Sequence, residues 1–208
     1  MNRIITIGRE FGSGGRELGR RLAEKLNVAY YDNEIIEEIA KRTDLSVAYV
    51  RGVSESKPII SFPIHYGRSF MTTVPSAFQQ SIAIFKEQHK LLQELAEKSD
   101  CVIVGRCADY VLRDQNPFRI FVYADEEDRV KRCMQRAASG ENLTENAMRK
   151  KIAEINKNRA KYYNFFSDRK WGEKENYDLL INTSGVEIKT VVDGLYDYLS
   201  KLFGEKND

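Results

Sequence analysis

The sequence has few of the residues that build disulfide frameworks. Only three of its 208 residues are cysteine, at positions 101, 107 and 133, and no CxxC pair or His/Cys cluster accompanies them. A sparse and odd set is typical of reduced thiols. No apolar run approaches membrane-spanning length, and the amino terminus becomes charged too early for a signal peptide. We therefore expect a cytoplasmic protein in which Cys101 and Cys133 are small packing residues.

A large excess of charge of one sign is also missing. The chain has 33 Lys and Arg against 31 Asp and Glu, a formal net charge of +2. The whole molecule is therefore not a polycation of the kind that binds nucleic acid. With 42% hydrophobic residues, residues 1–208 fit one globular domain with a sizeable core.

Apolar runs alternate with helical periodicity along the chain. Buried strands are predicted at residues 4–7, 101–104, 120–123 and 179–181, with a weaker one at 28–31. Such alternation predicts an α/β domain with a mostly parallel sheet. Helix starts are predicted at Asp32, Ser76, Asp125 and Thr144. Residues 41–97 are predicted to form a helical insert, with a proline-bearing loop at 54–75.

The stretch GREFGSGGREL, residues 8–18, follows the first apolar run and has four glycines in eight residues. A strand, a glycine-rich turn and a helix gather backbone N–H groups near a positive helix end, which binds phosphate without a special side chain. The strict pattern GxxxxGK[ST] is not met. If Gly14 is the last loop glycine, Arg9 replaces the first and Gly15 replaces the lysine. Arg16, one position further on, is a candidate for the missing cation.

Two other interpretations of this loop stay open. Gly12 and Gly14 match the first half of the dinucleotide pattern GxGxxG, and Asp32 lies at the expected distance. Glu17, however, occupies the third glycine position. The loop could also be a tight turn without a ligand, with Arg16 and Glu17 as solvated residues of the first helical turn.

Arginines recur where an α/β fold binds ligands. The stretch CVIVGRCADY ends a predicted strand with Gly105 and Arg106, which places a guanidinium at the carboxyl edge of the sheet, and Asp109 follows. Residues 129–161 contain ten Lys or Arg against three Glu. Three of these arginines share one helix face: Arg129, Arg132 and Arg136. Fixed cations beside a glycine loop suit phosphoryl transfer, because the charge of its transition state spreads over peripheral oxygens.

Together, these stretches resemble the cytidylate kinase-like family of P-loop kinases over nearly the whole chain. GREFGSGGRE and VIVGR are the specific parts, while YYDNEII, FRIFVYADEEDRVKRCMQR and YDLLINTS match more permissively. The resemblance implies a three-layer α/β/α fold with a mostly parallel sheet, a helical insert and an arginine-bearing lid. It also implies transfer of the γ-phosphoryl of ATP, assisted by Mg²⁺, to a small acceptor such as the nucleoside monophosphate CMP.

The same resemblance implies roles for individual residues. The donor phosphates would lie against Gly12, Ser13, Gly14, Gly15, Arg16 and Glu17. The acceptor would lie near Asp32, Arg106 and Asp109. The moving phosphoryl group would be neutralised by Arg16 and by the lid candidates Arg129, Arg132, Arg159 and Arg169, with Arg136 as a further member.

The chain departs from cytidylate kinases at the metal site. Those enzymes have GKG[ST] where this chain has GREL, residues 15–18, so a metal-binding hydroxyl is missing. No aspartate ends the strand at 101–104 to hold the metal from the other side. Glu17 or Asp32 would have to supply that carboxylate ligand instead. A nucleotide-binding regulator or sensor without catalysis therefore stays open. A nucleic-acid surface on the basic segment is disfavoured by the small net charge, and the aromatic residues at 162–166 are expected in the core.

Overall fold

The chain forms a five-stranded parallel sheet with helices on both faces in a computed structural model, which describes residues 2–55, 76–137 and 143–204. The strands are β1 (Ile4–Arg9), β2 (Ala29–Tyr31), β3 (Cys101–Val104), β4 (Phe118–Tyr123) and β5 (Leu179–Asn182). The α-helices of the described residues are α1 (Gly15–Leu26), α2 (Glu34–Thr43), α3 (Val47–Glu55), α4 (Ser76–Lys98), α5 (Ala108–Val111), α6 (Glu126–Arg136), α7 (Glu145–Ser167) and α8 (Ile188–Phe203). The α/β prediction is confirmed, and the sheet is parallel throughout.

The strand order is β2-β3-β1-β4-β5. Ile5 of β1 lies opposite Val102 of β3 and Phe118 of β4. A dinucleotide-binding sheet has the order 3-2-1-4-5-6, in which β2 neighbours β1. Here β3 takes that place, so the dinucleotide alternative is wrong. The order also makes the loop after β1 a neighbour of the turn after β3.

The two faces of the sheet pack against different helices. Side chains alternate along each strand: Ile5 and Ile7 join the buried cluster of α1 and α8, whereas Ile4 joins the cluster of α2, α4 and α5. This arrangement is the expected three-layer α/β/α sandwich. A smaller cluster joins α6 to α7 through Val130, Met148 and Ile152.

Some helix ends follow local sequence signals. Asn27 ends α1 in the left-handed conformation with φ of 54°, and the Thr144 hydroxyl accepts a hydrogen bond from the Ala147 amide at 3.3 Å. The prediction that Asp32 caps α2 is wrong. The residue before α2 is Asn33, and it makes no side-chain capping bond. Asp32 is instead held by arginines, as described below.

Helices α2, α3 and α4 form the described part of the predicted insert, and α2 already begins at Glu34. The proline-bearing loop was predicted at residues 54–75, but residues 54 and 55 end helix α3. The rest of the predicted loop, residues 56–75, lies outside the described residues. The aromatic residues at the end of α7 were expected in the core, and all but Phe165, which is 37% exposed, pack there. Tyr162 and Tyr163 are buried, and Phe166 stacks on Phe85 with ring centroids 4.0 Å apart.

None of the helices in the described part of the chain combines the length and apolarity that a membrane span requires.

Candidate active site

The loop between β1 and α1 forms an anion site from its backbone. Gly12 and Gly14 both have φ of +83°, a conformation that glycine adopts without a Cβ penalty. Helix α1 begins at Gly15. In the described part of the chain, the first amide of this helix that donates to a backbone carbonyl is that of Leu18, 2.9 Å from the Gly14 oxygen. The amides before it are the open donors of a helix N-terminus, where the helix dipole is positive. This geometry favours a phosphate.

Ser13 shapes this loop from inside. It is fully buried, and its hydroxyl donates to the Glu10 carbonyl at 2.9 Å. The Ser13 amide makes a long bond of 3.4 Å to the same oxygen. The Ser13 carbonyl accepts a hydrogen bond from the Thr183 hydroxyl at 2.7 Å. The hydroxyl of Ser13 is therefore engaged within the loop, and this residue contributes to the predicted phosphate site by fixing the backbone.

A cavity of about 350 Å³ lies between the loop and helices α6 and α7. This volume is at the lower end of the range for small-molecule sites. Among the residues that the structure describes, the wall of this cavity contains one acidic residue, Glu10, and six basic residues. They are Arg9, Arg16, Arg132, Arg136, Lys151 and Arg159. A wall of this composition suits a polyanion such as the phosphate chain of a nucleotide. We call it the donor cavity.

Asp32 contacts two arginines near the loop, Arg16 and Arg9. It follows β2, its side chain is 4% exposed, and its Oδ2 is 2.6 Å from Nε of Arg16. Arg16 also donates a long bond of 3.4 Å to Asn33. The sequence predicted Arg16 for the donor side and Asp32 for the acceptor side, and the structure joins the two in one ion pair.

Arg9 is a site residue that the sequence predictions missed. It ends β1, and its side chain is 12% exposed, with Nη2 3.6 Å from Oδ1 of Asp32. Burial lowers the pKa of Arg9 well below its usual range, and the guanidinium groups of Arg159 and Arg106 lower this pKa further, while Asp32 opposes them. The signal was available, because Arg106 was predicted from the same pattern of an arginine directly after a buried strand.

The turn after β3 holds Arg106 in a strained backbone. Gly105, Arg106 and Cys107 have φ of +76°, +59° and +52°. The left-handed conformation costs a non-glycine residue about 1–2 kcal/mol, and such strain clusters at functional sites. Surrounding bonds stabilise the turn: the Gly105 amide donates to the Ile7 carbonyl at 2.9 Å, and the Gln88 side chain donates to the Arg106 carbonyl at 2.9 Å.

A second, smaller cavity of about 50 Å³ lies beside this turn. That volume corresponds to about two water molecules. The cavity therefore has room for one small chemical group. Asp109 lines it, is 5% exposed, and accepts a hydrogen bond from the Tyr163 hydroxyl at 2.6 Å. Burial raises the pKa of Asp109. The polar residues of the wall include Arg9, Arg106, Asp109 and Arg159. We call it the acceptor cavity.

The arginines of α6 all contact the loop or its surroundings. Nε of Arg129 lies 3.5 Å from Oε2 of Glu10. Arg132 donates to the Thr183 hydroxyl at 3.2 Å and to the Thr183 and Val186 carbonyls. The third, Arg136, forms an ion pair with Glu17. The predicted stripe therefore faces the glycine loop.

Two further lid candidates have different places. Arg159 of α7 lines both cavities, and its Nη1 donates to the Arg9 carbonyl at 3.2 Å. Arg169 follows α7 and lines neither cavity. It lies over the Tyr110 ring, 5.5 Å from the centroid, beside a separate groove that includes Phe118 at the amino end of β4. The structure thus places Arg159 at both cavities, whereas Arg169 lines neither of them.

The carboxylates around the loop are already paired with arginines. Glu17 contacts Arg21 at 2.9 Å and also Arg136, Asp32 pairs with Arg16, and Glu10 lies beside the α6 arginines. The described residues contain no group of three or more His, Cys, Asp or Glu that could hold a metal ion. The Ser13 hydroxyl of the loop is already engaged with the Glu10 carbonyl, so the described residues do not fit a protein-built magnesium site. The Mg²⁺ that the resemblance implies stays a prediction, and no step is derived through it.

Comparison with known proteins decides the family. The model of the cytidylate kinase-like family matches residues 4–185. The chain belongs to this family. The match spans the glycine loop, the turn after β3 and the arginine-bearing helices, and it confirms the resemblance predicted from the sequence. No curated protein matches the chain at a significant level.

Solved structures of known proteins share the fold. An uncharacterized protein from Eubacterium ventriosum is 29% identical with a TM-score of 0.69, covering 96% of this chain and 99% of that one. Shikimate kinase from Bacteroides thetaiotaomicron has 16% identity and a TM-score of 0.57, covering 97% of this chain and 98% of that one. Shikimate kinase from Acinetobacter baumannii in complex with shikimate has 16% identity and a TM-score of 0.54, covering 100% of this chain and 96% of that one. The fold is therefore that of the P-loop kinases.

Proposed function

We propose that this member of the cytidylate kinase-like family transfers the γ-phosphoryl group of ATP to the phosphate of a nucleoside monophosphate such as CMP. The observation that carries the proposal is the shared wall of the two cavities. Arg9 and Arg159 line both. A group that leaves a donor in one cavity for an acceptor in the other therefore remains beside fixed guanidinium groups throughout the transfer.

The donor cavity favours the phosphates of ATP. The open amides at the start of α1 would bind the phosphate chain, and Arg16 lies one residue into the helix. Because Asp32 holds its Nε at 2.6 Å, the guanidinium of Arg16 is oriented before the substrate arrives. Preorganised charges of this kind stabilise a transition state without reorganisation during the reaction.

The acceptor cavity favours a phosphorylated acceptor. Its wall contains three arginines, Arg9, Arg106 and Arg159, and arginine forks match phosphate oxygens well. The space of about 50 Å³ fits one small group, so the rest of the acceptor would extend toward the helical insert. Asp109, buried and bound to Tyr163, would lie near the acceptor, as the resemblance implies.

In the proposed step, an oxygen of the acceptor phosphate forms a bond to the γ-phosphorus of ATP. The bond from that phosphorus to the β–γ bridging oxygen breaks, and the bridging oxygen leaves with the electron pair as part of ADP. The second ionisation of a phosphate monoester has a pKa near 6, so the attacking oxygen carries no proton at neutral pH and needs no general base. The residues of the chain position the groups and neutralise their charge.

The test measures ATP turnover by the full chain against nucleoside monophosphates, shikimate and other small acceptors in the presence of Mg²⁺. We expect the largest kcat/KM with one nucleoside monophosphate. Arg16→Ala should lower kcat by about 10²- to 10³-fold, the effect of losing one preorganised donor. It should change the Kd for ADP far less, because the charge matters most in the transition state.

The matched control is Arg42→Ala. Arg42 pairs with Glu38 and Glu94 within the insert and lines neither cavity, so kcat and the Kd for ADP should stay unchanged. Turnover of shikimate without turnover of any monophosphate would contradict the proposed acceptor. Loss of ADP affinity equal to the loss of kcat in Arg16→Ala would contradict the role of Arg16.

A nucleotide-binding regulator is the second candidate, and the ion-paired state of the loop carboxylates favours it. Glu17 and Asp32 are each held by arginine, so neither resembles an open metal ligand. This candidate predicts calorimetric binding of ATP or ADP and no phosphoryl transfer to any acceptor. Turnover above background with one acceptor excludes it.

A further inference from the structure

We infer that Arg9 is a catalytic residue that contacts the terminal phosphate of the donor from the end of β1, in place of the lysine missing from the loop. This inference rests on the proposed function. Arg9 ends the strand that leads into the glycine loop, and its side chain lines both cavities.

Two glycines fix the side chain of Arg9. A Cβ atom on Gly15 would lie 3.1 Å from Cγ of Arg9, and a Cβ atom on Gly105 would collide with Nη1 and lie 2.7 Å from Cζ. The stem therefore passes over the start of α1, and the guanidinium lies against the turn after β3. The absence of a Cβ atom at both positions leaves room for this side chain in its observed place. The guanidinium is thus held at the point where the donor and acceptor cavities meet.

The charge of Arg9 is poorly compensated for a buried cation. Its ion-pair partner, Oδ1 of Asp32, is 3.6 Å away, longer than a hydrogen bond. In the described part of the chain that oxygen is buried and accepts no hydrogen bond, while Oδ2 is taken by Arg16. Burial and the neighbouring arginines both lower the pKa of Arg9. A cation kept in such surroundings is expected where an anionic ligand is to bind.

Arg9 fits the role of the interior cation better than Arg16 does. The side chain of Arg16 is 57% exposed, against 12% for Arg9. An interaction in a dry site is worth more than the same interaction in water. Arg16 then acts at the mouth of the donor cavity, and Arg9 acts at its inner end.

The experiment compares the full chain with Arg9→Met, Arg9→Lys and the control Arg3→Met. Arg3 precedes β1 at its other end and pairs with Asp100, with Nε 2.7 Å from Oδ2. Three quantities are measured: the Tm without ligand, the calorimetric Kd for inorganic pyrophosphate and for ADP, and kcat with the best acceptor. Pyrophosphate tests the phosphate contact without the base and without turnover.

We expect Arg9→Met to raise the Kd for pyrophosphate by about tenfold to a hundredfold, which corresponds to losing one hydrogen bond to a charged group. Its Tm should be unchanged or higher, because a buried, poorly paired charge is removed. Arg9→Lys should keep most of the pyrophosphate affinity and lower kcat, since an ammonium lacks the planar fork. Arg3→Met should leave both Kd values unchanged.

Each outcome separates the two proposals. Pyrophosphate binding by Arg9→Met equal to that of the unchanged chain overturns the inference, and so does a large fall in Tm or a failure to fold, since either marks Arg9 as structural. Lost pyrophosphate affinity without turnover of any acceptor supports the contact of Arg9 and refutes the kinase proposal. If the unchanged chain binds neither pyrophosphate nor ADP, both proposals are wrong.

Discussion

A single methyl group at position 105 should displace the guanidinium of Arg9. Gly105 has φ of +76° and faces the tip of the Arg9 side chain. The stem of Arg9 packs against the start of α1, where a Cβ atom on Gly15 would lie 2.6 Å from Cβ of Arg9. Gly105→Ala therefore tests whether the turn after β3 positions Arg9.

Two costs add in this variant. A Cβ atom in the left-handed conformation costs about 1–2 kcal/mol, and overpacking costs about 1–3 kcal/mol, so the free energy of unfolding should fall by roughly 2–5 kcal/mol. In an Arg9→Ala background the overpacking disappears and only the conformational cost of about 1–2 kcal/mol remains. The expected coupling between the two positions is therefore about 1–3 kcal/mol.

Urea unfolding of the four proteins of this double-mutant cycle measures the coupling, and Gly185→Ala is the matched control. Gly185 has φ of +67°, with no atom within 4 Å of the position that a Cβ would take. Its substitution should thus show only the conformational cost in both backgrounds. The reasoning is refuted if Gly105→Ala costs the same with and without Arg9, within about 0.5 kcal/mol, the limit for independent sites.

Two further predictions concern residues of the site. Arg132→Met should lower the free energy of unfolding by about 1.5–3 kcal/mol, because the guanidinium joins α6 to the Thr183 carbonyl after β5; unchanged urea unfolding with lost turnover would mark Arg132 as a lid arginine only. Burial raises the pKa of Asp109 in the folded protein above its ordinary 3.8. The ionised carboxylate therefore destabilises the fold. The contribution of this group to the free energy of unfolding is present at low pH and is lost as the pH rises through the pKa of the folded state. Asp109→Asn, which can still accept from Tyr163, should therefore raise Tm at neutral pH and lose this advantage below pH 3.8; a pH-independent difference in Tm would contradict this account.

The sequence predicted the sheet and the loop because both depend on local patterns. Apolar runs marked all five strands, and the glycine string marked the turn before α1. Arg106 and the α6 stripe were also found, since a strand end and a helix period define where a side chain lies. The strand predicted at residues 4–7 ends at Arg9 in the structure. Those two additional residues bring Arg9 into the sheet.

The remaining features depend on contacts between distant segments. The confinement of Arg9 needs Gly105, which is far away in sequence and is brought near by the pairing of β1 with β3. The place of Arg169 depends on the direction of the chain after Asp168, whose φ is +53°. No period or spacing encodes that direction. Asp32 was predicted as a cap from its place before the periodic residues of a helix, and the partner it has in the structure, Arg16, lies on another element.

The substitutions in the glycine loop are consistent with one another. A usual phosphate loop has a flexible lysine and a metal-binding hydroxyl; here the corresponding region has Arg16, held by Asp32, and Glu17, held by Arg21 and Arg136. These carboxylates orient arginines, and oriented arginines need less ordering when a phosphate binds than a flexible lysine does. Glu17 therefore takes part in the arginine arrangement through Arg21 and Arg136. The loop accordingly favours phosphate recognition by fixed guanidinium groups together with backbone amides.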